Sequence, residues 1–221
     1  MHTPQPVFDA NTSGGKNLGN LPEWDLSDLY PSTDGPEITR DLAWLEKECA
    51  NFAATFEGKL ANLDAAGLYD AVQRYEQIDI IAGRIMSFAG LRYYQCTTDS
   101  DRAKFMADCQ DNITTYTTPL VFYGLEFNRL DDDHLNNLLA ANADLARYKP
   151  VFDRMRAMKP HQLSDELEKF LHDQSTVGAA AWNRLFDETM AGLEFTVDGD
   201  TLNLEATLNL LTEHDRSKRE A

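Results

Sequence analysis

The side chains best suited to metal or acid–base chemistry are five histidines, His2, His134, His161, His172 and His214. A hydrolytic zinc site is most economically built from two histidines one helical turn apart with a glutamate between them, H-E-x-x-H. One rigid element then fixes two ligands and a general base. No two of these histidines lie within ten residues of each other, so the motif is absent. Two carboxylate–histidine pairs do share a helical face, Asp131 with His134 and Glu168 with His172. Either could give two ligands to a metal that finds a third elsewhere, but the same spacings make helix-surface ion pairs or caps. Glu-x-x-His, the di-iron bundle motif, does not occur. Ser13-Gly14-Gly15-Lys16 has the wrong spacing for a phosphate loop, and no G-x-S-x-G is present. Asp131-Asp132-Asp133 could attract a cation, or could open a helix where negative charge suits the macrodipole. The residues alone therefore assign no catalytic, cofactor-binding or metal-binding position in this chain.

Composition narrows the classes. The chain has 221 residues, 37 acidic against 20 basic, a net charge of −17, and 43% hydrophobic residues. That is a globular profile. The acidic balance argues against binding nucleic acid or an anionic membrane. No apolar run is long enough to span a bilayer, and the polar stretch from Met1 to Lys16 lacks the apolar core of a secretory signal. Cys49, Cys96 and Cys109 are odd in number and widely spaced, which fits buried thiols in a reducing cytoplasm. The Asn112-Ile113-Thr114 sequon carries no meaning without secretion.

Helical periodicity supplies the elements that would position any site. Residues 1–20 are rich in Pro, Gly, Ser and Asn and read as a flexible leader. Ile38, Leu42, Leu45, Cys49, Phe52 and Phe56 form one stripe, predicting a helix near 36–57 with Pro36 in its first turn. Asp64 caps a second helix, near 65–95, with a stripe from Leu68 through Ile78 to Ala89. A third runs from Asp99 or Ser100 to about Phe127, and Pro119 should kink or split it. Phe88, Tyr93, Tyr94, Tyr116, Phe122, Tyr123 and Phe127 form a dense aromatic group, either core between long helices or the lining of a peptide groove. Shorter helices follow after Asp131, around Tyr148 and Phe152, after Ser164, and over Ala179 to Met190 with Trp182, Leu185 and Phe186 expected inward.

One strand signal exists. Residues 193–197 and 201–204 alternate about Asp198-Gly199, a hairpin turn dipeptide. Glu205 to Leu211 returns to helix, and Asp215 to Ala221 reads as a helix just begun, so the chain is expected to be the front part of something longer. The fold expected is mainly α: long antiparallel helices in a bundle-like lobe with one β-hairpin near 193–204. The organisation expected is a leader at 1–20, a helical lobe at 21–192, and a hairpin with the start of a connection at 193–221.

Several segments in order carry a resemblance. Trp24-Asp25-Leu26-Ser27-Asp28-Leu29-Tyr30 comes first, followed by Phe52 and Phe56-Glu57-Gly58-Lys59-Leu60. Tyr75-Glu76, Gly83-Arg84, Phe88 and Leu91 stand after these. Leu163-Ser164 with Glu168, Gly178-Ala179-Ala180-Ala181-Trp182 and Leu185-Phe186-Asp187-Glu188 come next. Leu193-Glu194-Phe195, Asp198-Gly199, Asp215-Arg216, Arg219 and Ala221 close the series. From about Leu21 onward the sequence resembles the N-terminal region of the oligoendopeptidase F family of zinc metallopeptidases, relatives of thimet oligopeptidase.

The resemblance implies a mostly helical protein, far longer than this chain, whose two lobes enclose a channel that admits peptides and excludes folded proteins. It places the zinc ligands and general base in a C-terminal half that nothing here matches, so no catalytic residue carries over. The chain's share would be enclosure of the channel. Zinc would belong to the full-length family member and not to this chain, which alone would be inactive. Its partners would be the catalytic lobe of the same parent and short peptide substrates, in the cytoplasm. The alternative is a self-contained helical interaction module without enzymatic activity.

Overall fold

A computed structural model describes residues 25–220. The expected leader at 1–20, with His2 and Ser13–Lys16, lies outside the described residues, as does Trp24. The first helix, α1, spans Pro36–Phe56. Its N-cap is Gly35 and its first residue is Pro36, whose fixed φ and missing N–H suit that position. Gly58, at φ 75°, turns the chain out of it. The second helix, α2, spans Ala65–Tyr94, 30 residues and about 45 Å. The Asp64 carboxylate accepts the Gly67 N–H at 2.7 Å and caps it, as the sequence predicts.

The third predicted helix is split at its proline. α3 covers Ser100–Thr117, a 3₁₀ turn covers Thr118–Leu120, and α4 covers Val121–Arg129. Pro119 has no N–H to continue the α ladder, so the chain tightens there and restarts. Three shorter helices come next: α5 Asp132–Ala141, α6 Ala143–Ala146 and α7 Lys149–Ala157.

The long helices α1, α2 and α3 pack side by side, and their stripes build one core. Phe52, fully buried, touches Phe56, Tyr75, Phe122 and Tyr123 with ring centroids 4.9–5.9 Å apart. Phe127 packs against Phe152 with ring centroids 4.6 Å apart. The aromatic group is therefore core packing, with one correction: Tyr94 is exposed. The cysteine expectation also needs correcting. Cys49 and Cys109 are buried, but Cys96 is half-exposed in the turn between α2 and α3, near Thr98 Oγ1 at 3.5 Å.

Among the described residues the buried core ends at Phe152, and no apolar side chain beyond Met155 packs against it. The rest of the chain forms an outer layer. It contains α8 Asp165–Asp173, α9 Ala179–Ala191, the antiparallel pair β1 Glu194–Val197 and β2 Asp200–Asn203, α10 Leu204–Leu210 and α11 Arg216–Arg219. The hairpin register pairs Glu194 with Asn203 and Val197 with Asp200. Its turn sets Asp198 at φ 52° and Gly199 at φ 91°, the two left-handed residues that a type I′ turn requires.

Candidate functional site

The two carboxylate–histidine pairs are structural. Asp131 accepts the backbone N–H groups of Asp133 and His134, both at 3.0 Å, and caps α5. Asp132 pairs with Arg156, which also donates to the Phe127 and Leu130 carbonyls. Glu168 reaches back to the Leu163 N–H at 2.8 Å, while Ser164 caps α8 through the Leu167 N–H. His172 turns the other way, its Nε2 3.0 Å from Thr117 Oγ1. Glu168 and His172 therefore do not converge. Among the described residues no three His, Cys, Asp or Glu side chains come together as a metal site would need. The described donors do not fit zinc.

The front segment of the resemblance has a structural role that the sequence reading missed. Tyr30 is buried, and its hydroxyl donates to Asp41 at 2.8 Å. Asp41 is a buried carboxylate on the core face of α1. Arg40 and Arg84 flank it at 2.9 and 3.7 Å, and Arg84 also donates to the Leu29 carbonyl and lies 4.4 Å from the Tyr30 ring centre. Burial, then the Asp41 hydrogen bond, pushes the Tyr30 hydroxyl far above the ordinary tyrosine range. These residues strap the segment before α1 onto α1 and α2. The available signal was Asp41 lying three residues after Ile38, on the edge of the apolar stripe. Beside the strap a cleft of about 180 Å³ is bounded by Tyr30, Phe88 and Arg92. That is below the roughly 300 Å³ of an ordinary ligand pocket.

The largest unexplained feature is the outer layer. α8 is strongly amphipathic, and it is docked with its polar side inward. Asp165, Glu168, Lys169 and His172 are half-buried, whereas Leu167, Phe170 and Leu171 are exposed. α9 repeats the pattern: Arg184 and Asp187 are half-buried, and Trp182, Leu185 and Phe186 are 71%, 52% and 62% exposed. This overturns the inward placement expected for Trp182, Leu185 and Phe186. Periodicity identifies which face of a helix is apolar but not what that face meets. Near the end of α2 the Tyr93 hydroxyl is buried, and burial, then Glu188 and Asp187 of α9, raise its pKa. Scattered surface apolars are ordinary, but Leu163, Leu167, Phe170, Leu171, Trp182 and Phe186 are all exposed on two successive helices and the connector before them, a concentration of the kind that marks a partner surface.

Comparison with known proteins gives this surface a context. Residues 126–195 match the family described as Oligopeptidase F. The chain is 26% identical over 171 residues to oligopeptidase PepF of Bacillus subtilis (strain 168), covering 72% of this chain and 23% of that protein. It is 25% identical over 159 residues to the plasmid oligoendopeptidase F of Lactococcus lactis subsp. cremoris, covering 71% and 26%. The crystal structure of oligoendopeptidase-F from Enterococcus faecium superposes with a TM-score of 0.74 at 19% identity, covering 86% of this chain and 37% of that one. The fold is thus shared. The resemblance to the N-terminal region of the oligoendopeptidase F family holds, and the chain spans about a quarter of the length of the curated relatives it matches.

Proposed function

We propose that this chain is the N-terminal lobe of a cytoplasmic, zinc-dependent oligopeptidase that hydrolyses short peptides. Its own share is to enclose the substrate channel and to select substrates by size, and no residue of it takes part in the chemistry. The zinc and its ligands belong to a catalytic lobe outside these residues. That lobe is also the partner that covers the outward face of α8 and α9. The organisation that goes with this reading is a leader at 1–20, a helical lobe at 21–192 and a connection beginning at 193–221.

One observation carries the proposal: two consecutive amphipathic helices turn their apolar sides away from the only core the described residues possess. The matching relatives, of which this chain covers 23–37%, support the reading that a further part of the same protein meets this face. Two further features agree. No described helix is long and apolar enough to cross a membrane. The acidic balance of 37 against 20 charged residues disfavours nucleic acid.

The test begins with the encoding DNA beyond the Ala221 codon. The expected result is an open frame that carries H-E-x-x-H. In the protein so encoded, Phe170→Asp with Phe186→Asp should lower peptide hydrolysis by at least about tenfold, a loss of about 1.4 kcal/mol in transition-state stabilisation. The melting of the helical bundle should not change. A stop codon directly after Ala221 would overturn the proposal and leave the helical interaction module as the reading.

A further inference from the structure

Polar side chains of α8 reach the bundle at several points. Arg129 at the end of α4 pairs with Asp165 at the start of α8. Lys169 reaches Glu57 at 3.4 Å, beyond the end of α1. His172 and Asp173 bond the hydroxyls of Thr117 and Thr118, where Pro119 breaks the third helix. The connector is tied by Asn128, whose amide donates to Gln162 at 3.1 Å. The ion-pair side chains are 42–50% exposed, so water and salt compete for every one of these charges. The long helices α1, α2 and α3 meet mainly through interdigitated apolar side chains, which resist separation because every contact is lost at once. An interface of solvated polar contacts can instead exchange its partners for water at little net cost.

We propose that residues 165–211 form a door that swings on the 158–164 connector and parts from the bundle along the Asp165–Lys169–His172 face, while the bundle stays folded. The connector suits a hinge. It contains the 3₁₀ turn Lys159–His161 with Pro160 inside it, and none of its side chains is buried. Opening of the door does not require the peptidase reading, because it concerns only contacts within the chain.

The test uses the full 221-residue chain with Cys96→Ser, which leaves the buried Cys49 and Cys109 unlabelled. Spin labels go on Gln73→Cys in α2 and Thr189→Cys in α9, both at exposed positions. At about 0.01 M salt, electron–electron distance measurements should give one population, and at about 1 M a second, longer one should appear. That open population should rise from below about 1% to above about 10%. Arg129→Ala with Lys169→Ala should show it already at low salt. The charge swap Arg129→Asp with Asp165→Arg should return the single short distance. The thermal midpoint of the bundle should stay within about 2 °C throughout. One unchanged distance in every condition would overturn the proposal. So would a midpoint that falls in step with the distance change, because the layer and the bundle would then unfold as one body.

Discussion

α2 and α8 are both amphipathic and both capped by a side chain, yet they use their faces in opposite ways. In α2 the stripe turns inward, and Leu68, Ile78 and Ile85 are buried beneath α1 and α3. In α8 the polar residues turn inward, and Phe170 stays 57% exposed. The difference is in what lies opposite. α2 crosses two long helices that offer matching apolar stripes. α8 meets the ends of α1, α3 and α4, where the backbone breaks and hydroxyls, carboxylates and Arg129 are presented. Helical pattern sets the two faces of an element, and the neighbouring surface decides which of them is used.

Substitutions should break the two regions unequally. Ile78→Asp places an unpaired charge in the core and should cost about 4 kcal/mol or more, lowering the thermal midpoint by about 8 °C or more. Phe170→Ser in the same 221-residue chain should stay within about 0.5 kcal/mol of the parent, because a surface position has no cavity to leave. Equal effects at the two sites would erase the distinction.

Alkaline pH should separate the regions as well. Burial raises the Cys49 and Cys109 thiols from 9.0 to about 11, and the Glu76 hydrogen bond, with burial, raises the Tyr148 hydroxyl from 10.0 to about 12. In each case the folded state prefers the neutral form. The stabilisation is therefore complete below the unfolded values and is lost as pH rises through the folded ones. All the cysteines and tyrosines raised in this way lie in the bundle. The bundle's midpoint should fall between about pH 9 and about pH 11. A flat profile across that range, measured by circular dichroism, would contradict the buried placement of the two thiols.

A smaller effect tests the strap. Tyr30→Phe removes one hydrogen bond to the buried Asp41 carboxylate and should cost about 1–3 kcal/mol in thermal unfolding. The smallest concerns caps. Asp64→Ala frees the Gly67 N–H at the start of α2 and should lower stability by about 1 kcal/mol. Ser164→Ala at the start of α8 should leave the bundle midpoint where it is. A comparable loss at Ser164 would mean that α8 is part of the cooperative core.

Much of the fold was legible because its signals are local. Asp64, Asp99 and Asp131 cap the helices they precede, Pro119 splits the third helix, and Asp198-Gly199 makes the hairpin turn. The stripe of α1 was readable at Ile38, Leu45, Cys49, Phe52 and Phe56. Other features depend on distant partners and were not. Asp41 is polar by type, and only Tyr30 and Arg84, brought in from outside α1, make its burial tolerable. Cys96 reads as apolar by type but falls in a turn. Trp182 and Phe186 carry an apolar pattern identical in form to a core-facing one, so their outward direction could not be read from spacing. The candidate surface was for that reason invisible in the sequence, whereas the residues that compose it were all marked as apolar.

The molecule is a cooperative bundle carrying an outer layer that, among the described residues, has no core of its own. Hydrogen exchange on the 221-residue chain tests this most directly. Amides of residues 65–94 should exchange only through global unfolding, while those of 179–211 and of the exposed 212–220 should exchange through local opening at free energies well below it. Protection at 179–220 equal to that of 65–94 would contradict the claim, because it would show that the outer layer is held by a core of its own.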